Sequence, residues 1–223
     1  MASKSRSRTK SSRCWLDRQH SDPYVQQAKD EGYRSRATYK LQEINARDKI
    51  FAKGMTVVDL GAAPGGWSQV AVESIGQTGK VLAIDILPMD PLNGVDILLG
   101  DIQKPEFVET VISMLNGKDV DLVISDMAPN LSGIMMVDQA RVYALAEEAL
   151  HFAEQVLVSG GGFLIKLFQG SGFQEYLAQL KNRFNQVNIR KPKASRAGSR
   201  EVYLLAKGYI PMEMRGVHLE RYA

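Results

Sequence analysis

The stretch Val57-Val58-Asp59-Leu60-Gly61-Ala62-Ala63-Pro64-Gly65-Gly66-Trp67-Ser68 constrains this chain more than any other. A short apolar run reaches an acidic residue, passes a glycine-rich turn and enters a helical pattern near Trp67. This predicts a strand, a tight loop and a helix N-terminus, the parts of a nucleotide-cofactor cradle. Glycines let backbone approach a ligand because no Cβ intervenes, and the free amides of the helix start favour an anionic group. The loop lacks G-x-G-x-x-G, which argues against a nicotinamide or flavin dinucleotide.

Alternation of β-rich and helical runs continues beyond this unit. Strands are expected at Thr56–Leu60, Lys80–Ile86, Asp96–Leu99, Leu122–Ser125, Gly162–Leu167, Gln186–Arg190 and Glu201–Ala206. Helices are expected over Arg34–Ile50, Trp67–Ile75, Pro105–Asn116, Val137–Val158 and Phe173–Arg183. The pattern predicts an α/β fold: a seven-stranded, mostly parallel sheet with helices on both faces, closed by a hairpin-like pair. A length of 223 residues suits one domain over residues 21–223, preceded by a basic, flexible arm over 1–20. That arm has no apolar h-region, and no apolar run approaches the ~20 residues of a membrane span. Cys14 is the single cysteine, which fits a reducing, cytoplasmic setting, and His20, His151 and His218 are too scattered to predict a metal site.

Charge is segregated. Residues 1–40 carry a net +6, residues 41–180 a net −10 and residues 181–207 a net +7. Two basic segments around an acidic middle point to a polyanion partner if they share a face. Arg34, Arg36, Lys191, Lys193, Arg196 and Arg200 are the candidate polyanion ligands, expected near the carboxyl edge of the sheet.

Aspartates stand at three strand ends. Asp85 follows Gly65 by twenty residues, the position that accepts hydrogen bonds from ribose hydroxyls in such folds. Asp101 ends the next strand and Asp126 the one after. A single strand-end aspartate is more often a cap or turn residue; three in register with a glycine loop point to a ligand. Asp59 reads as structural, organising the loop. Lys166 interrupts the apolar strand Gly162–Leu167, and burying an uncompensated ammonium costs several kcal/mol, so it needs a partner or a function.

The motifs Y-R-S-R-A-x-Y-K-L, D-L-G-A-A-P-G-G-W, S-D-M-A-P-N, the lysine of F-L-I-K-L-F and S-x-E-x-Y occur in an order that resembles the FtsJ/RrmJ family of heat-shock ribosomal RNA 2′-O-methyltransferases. The likeness runs from about Cys14 to Leu205. It implies a Rossmann-like methyltransferase fold with S-adenosylmethionine as cofactor. The cofactor would contact Gly61, Gly65, Trp67, Asp85, Asp101, which reads the adenine amino group, and Asp126, which faces the sulfonium end. It also implies a catalytic tetrad of Lys40, Asp126, Lys166 and Glu201. The implied substrate is a uridine 2′-hydroxyl in the A-loop of 23S ribosomal RNA within the large ribosomal subunit, methylated by a monomer. The alternatives are a 2′-O-methyltransferase acting on transfer RNA or a messenger RNA cap, or a non-catalytic RNA-binding assembly factor.

A sugar hydroxyl is a poor nucleophile until its proton leaves. Lys166 is the expected proton acceptor, with Lys40 and Glu201 orienting it and the ribose. As a base it must be neutral, which means moving an ammonium from a pKa of ~10.4 toward ~7–8, roughly 4 kcal/mol. Tyr39, Trp67 and Tyr203 are expected to serve packing rather than base stacking.

Overall fold

A computed structural model describes residues 22–115, 120–130, 132–196 and 198–215; the predicted arm over 1–20 lies outside the described residues. Among the described residues seven strands form one sheet: β1 (Thr56–Leu60), β2 (Lys80–Asp85), β3 (Val95–Leu99), β4 (Val120–Ser125), β5 (Leu157–Phe168), β6 (Phe184–Arg190) and β7 (Glu201–Tyr209). Their order is β3-β2-β1-β4-β5-β7-β6. The first five run parallel, and β7 lies antiparallel between β5 and β6. The order reverses between β1 and β4, and in open α/β sheets a ligand crevice forms at the carboxyl ends of strands flanking such a switch point.

The described residues form six α-helices, α1 (Pro23–Asp30), α2 (Thr38–Asp48), α3 (Gly66–Ile75), α4 (Pro105–Leu115), α5 (Met135–Val156) and α6 (Phe173–Lys181), of which α2 to α6 pack on the sheet. Side chains alternate across each strand, so β1 gives Val57 to one face and Val58 and Leu60 to the other. Against the first face α2 packs Leu41 and Ile44, and α3 packs Trp67, Val70 and Ile75. Against the second, α5 packs Val142, Phe152 and Ala153, α4 packs Val111, and α6 packs Tyr176 and Leu180. Both faces are thereby closed, as a parallel sheet requires.

Helix α1 was not expected, since Ala28 is its one buried residue. It is held by Asp22, which caps Tyr24 N, by Pro23 at its first turn and by packing of Tyr24 on Tyr39. Helix α2 starts at Thr38, four residues later than predicted, because Tyr33–Ala37 form turns. There Tyr33 N reaches Ala28 O, Arg34 N reaches the Gln69 side chain and Ala37 N reaches Ser35 Oγ. Helix α5 passes directly into β5 at Leu157. No helix of the described residues is long and apolar enough to cross a membrane.

Candidate active site

The glycine loop is pinned to β2, with Gly61 N and Ala62 N both donating to Ile84 O. Gly61 has φ +74, and a Cβ there would stand 2.3 Å from Met127 Cγ. A side chain would therefore collide with the segment leaving β4, and the two walls of the crevice could not meet. Gly65, at φ +112, turns the chain into α3 as its N-cap.

A cleft of about 580 Å³ opens over these strand ends, lined by Gly61, Ala63, Asp85, Asp101, Asp126 and Met127 among others. Its size falls within the ~300–1,000 Å³ of small-molecule sites. Asp85 accepts from Ala63 N at 2.9 Å and from Leu87 N at 2.8 Å, and Asp101 accepts from Gln103 N at 3.0 Å. A carboxylate has about four lone-pair sites, so both aspartates keep acceptor capacity toward the cleft. Two carboxylates for a ribose diol and an exocyclic amine, with apolar Ile84, Ile86 and Ile102 beside them, suit an adenosine moiety.

Two residues expected at the cofactor do not line this cleft. Gly65 supplies the turn behind it. Trp67 is 3 % exposed; its Nε1 donates to Ala37 O at 2.9 Å and its ring lies against Tyr203. The helix period that brings Trp67 close to the loop points its side chain toward α2, into the core. Asp59 is buried: Oδ2 accepts from Ser68 Oγ at 2.7 Å, while Oδ1 has no hydrogen-bond partner among the described residues. Burial, reinforced by the neighbouring charges of Asp126 and Asp85, pushes its carboxyl up to about 7 despite the Ser68 hydrogen bond.

The four tetrad residues come together at the carboxyl edge of β4 and β5, where β7 begins. Register sets Tyr203 opposite Lys166 and Glu201 opposite Phe168, and α2 lays Lys40 over the start of β7. Lys40 Nζ is 2.7 Å from Glu201 Oε1, and Lys166 Nζ is 3.1 Å from Asp126 Oδ1 while also donating to Asp126 O. The Lys166 side chain is only 9 % exposed. Burial raises the Glu201 carboxyl, but the Lys40 ammonium, the Ser195 hydroxyl at 2.8 Å and the Lys166 charge together hold it below its usual value.

Tyr203 joins the two ion pairs, a role sequence reasoning missed. Its hydroxyl donates to Asp126 Oδ1 at 2.9 Å and lies 3.4 Å from Glu201 Oε1. Burial, with Asp126 and Glu201 alongside, raises the phenol well above its ordinary range, so it remains a donor. The signal was the i, i+2 spacing of Glu201 and Tyr203 on a strand, which puts both on one face. Ser195, a buried hydroxyl on the β6–β7 connection, carried no such signal.

The candidate RNA ligands divide into two groups. Arg34 is committed to the protein, donating to Pro64 O, Asp90 O and Pro91 O. Arg36 pairs with Asp22 and donates to Ala194 O. Each ties separate segments of the fold together, a role not expected of either, and Arg36 is mostly buried in doing so. Lys191, Lys193, Arg196 and Arg200 are exposed on the β6–β7 connection. Lys191 reaches Ser199 O, and Arg196 lies 3.6 Å from Asp22.

Comparison with known proteins matches this arrangement. The chain is 55% identical to ribosomal RNA large subunit methyltransferase E of Alkalilimnicola ehrlichii over 92% of this chain and 98% of that one. It is 52% identical to the protein of the same name from Hahella chejuensis, over 91% and 98%. A solved ribosomal RNA methyltransferase from Plasmodium falciparum superposes with a TM-score of 0.73 at 31% identity, covering 80% of this chain and 100% of that one. Aeropyrum pernix fibrillarin, solved with natively bound S-adenosyl-L-methionine, shares the fold at 16% identity and a TM-score of 0.55, covering 78% and 75%. The model of the FtsJ-like methyltransferases matches residues 33–209, which span the glycine loop, the three cleft aspartates and all four members of the tetrad. The chain belongs to the FtsJ-like methyltransferase family, with S-adenosylmethionine as its cofactor.

Proposed function

We propose that this protein methylates the 2′-hydroxyl of a uridine in the A-loop of 23S ribosomal RNA, within the assembled large ribosomal subunit. In this reading residues 21–223 form one catalytic domain, and the enzyme acts as a cytoplasmic monomer. The observation that carries the proposal is the pairing of Lys40 with Glu201 and of Lys166 with Asp126 beside the cofactor cleft. The relatives' names direct the reading toward large-subunit RNA rather than transfer RNA or a cap.

When bound, S-adenosylmethionine supplies a methyl group on a positively charged sulfur. Gly61, Asp85 and Asp101 would hold it, with Asp126 near the reacting end. Lys166, having first given up its own ammonium proton, would take the proton of the 2′-hydroxyl, and the cofactor would supply the methyl group to that oxygen. Asp126 fixes the position of the Lys166 amine, and the Lys40–Glu201 pair steadies the ribose. Much of the rate comes from holding hydroxyl and methyl in line.

The test is tritium transfer from labelled S-adenosylmethionine to 23S RNA, free and in large subunits, followed by nucleoside analysis. Labelled 2′-O-methyluridine from the subunit is expected. Label in transfer RNA alone would overturn the substrate. Intact cofactor binding with no transfer to any RNA would favour a non-catalytic assembly factor.

A further inference from the structure

A second cleft, of about 340 Å³, is lined by residues that flank the tetrad in the chain, among them Phe168, Gln169, Ser199 and Arg200. Residues 127–130 line the cofactor cleft, and Met135 and Asp138 line this one, so the segment between β4 and α5 has a cleft on either arm. The second cleft also touches the tetrad's own strands. Phe168 is the register partner of Glu201, and Arg200 immediately precedes Glu201. We propose that this cleft seats the target uracil, an inference that rests on the reading of the site as a uridine 2′-O-methyltransferase.

Covalent geometry supplies the first argument. The base is attached to the sugar carbon adjacent to the one bearing the reacting hydroxyl. With that hydroxyl at Lys166, the base must occupy space near the tetrad, and the lining of the second cleft shares no residue with that of the cofactor cleft. The lining supplies the second. Met135, Tyr143 and Phe168 offer apolar and aromatic surface for a planar ring, and base–aromatic stacking is tolerant of sequence but strong. Tyr143 Oη donates to Phe168 O at 3.0 Å, which fixes the two aromatic residues relative to each other.

Unused hydrogen-bonding groups supply the third argument. The side-chain amides of Gln139 and Gln169 and the guanidinium of Arg200 line the cleft, and none has a hydrogen-bond partner among the described residues. The Gln139 amide lies over Gly170, where a Cβ would come within 2.0 Å of its Nε2, so this glycine lets the amide sit at the cleft wall. Single-stranded bases are read by hydrogen bonds on their edges together with stacking, and an amide offers both a donor and an acceptor to the uracil edge. Arg200 is placed for the adjoining phosphate.

The test is a cycle of protein and RNA changes. Gln139→Ala and Gln169→Ala enzymes are assayed on 23S RNA carrying either uridine or an abasic ribose at the target, the 2′-hydroxyl being present in both. Cofactor affinity is measured in parallel. Each variant is expected to lower kcat/KM on the uridine RNA about tenfold, with cofactor affinity unchanged. Neither should lower it further on the abasic RNA, since the partner of the amide is already gone. Equal losses on both RNAs, or no loss on either, overturn the uracil seat. A wild-type enzyme that makes no 2′-O-methyluridine overturns the underlying function instead, so the two failures are distinguishable.

Discussion

Tyr203 Oη donates to Asp126 Oδ1 at 2.9 Å, the same oxygen that lies 3.1 Å from Lys166 Nζ. One carboxylate oxygen thus serves both the phenol and the amine. The phenol ring lies 5.7 Å from Lys40 Nζ and packs on Trp67. Asp126, Lys166, Glu201 and Lys40 are therefore held as one network whose central member is a neutral donor. Groups coupled in this way lose more when one is removed than pairwise contacts suggest.

Tyr203→Phe tests this coupling. It removes the hydroxyl and keeps the ring in place against Trp67. A hydrogen bond to a charged group contributes about 1.5–3 kcal/mol, so the variant should lose stability of that order. Its kcat should fall about tenfold or more with cofactor affinity unchanged, as Asp126 loses one of its two restraints. Wild-type kcat in Tyr203→Phe would show that the two ion pairs act independently.

Lys166→Ala should cost more. General acid–base groups contribute about 10²–10⁴-fold, and removal of Lys166 also leaves the Asp126 carboxylate with Tyr203 alone. We expect methyl transfer to fall at least ~10²-fold while S-adenosylmethionine still binds, measured by calorimetry beside single-turnover assays. An active Lys166→Ala enzyme would take Lys166 out of the mechanism.

The two groups of basic residues should separate in a salt titration. Lys193→Ala removes an exposed charge on the β6–β7 connection. It should weaken RNA binding and reduce the slope of log affinity against log salt by about 1. Arg36→Ala instead breaks a partly buried pair with Asp22. It should show itself mainly as a loss of ~3 kcal/mol in denaturant unfolding, with little change in salt slope for the folded protein. A changed slope in Arg36→Ala would restore Arg36 to the RNA surface.

These contrasts mark where sequence reasoning reached and where it stopped. The β1–loop–α3 unit was legible because its glycines and period changes are local, and β1 spans Thr56–Leu60 as predicted. The meeting of Lys40, Asp126, Lys166 and Glu201 in two ion pairs was legible from motif order and from a lysine inside an apolar strand. Arg36 was misread because its partners, Asp22 and Ala194, lie 14 and 158 residues away; a guanidinium bound to the fold and one open to phosphate look alike in a sequence. Trp67 was misread for a related reason, since proximity to the glycine loop does not fix which way a helical side chain points. Helix α1 escaped notice because aromatic packing from Tyr39, rather than an apolar stripe of its own, holds it down.

Asp59 should leave a signature in stability against pH. Its carboxyl titrates near 7 in the folded protein and near ~3.9 when unfolded. A folded value raised above the unfolded one means that the native state keeps a proton the unfolded chain has released. Asp59 therefore imposes no penalty below about pH 4. It destabilises the fold progressively as the pH rises from about 4 to about 7, and the penalty is constant above that. At ~1.4 kcal/mol per pH unit the ceiling is about 4 kcal/mol. Asp59→Asn keeps an acceptor for the Ser68 hydroxyl and carries no charge. The stability difference between Asp59→Asn and wild type, from urea unfolding at a series of pH values, should shift in favour of the variant across that window and level off near pH 7. A difference independent of pH would show that Asp59 is ionised in the fold throughout, with its charge met beneath the glycine loop.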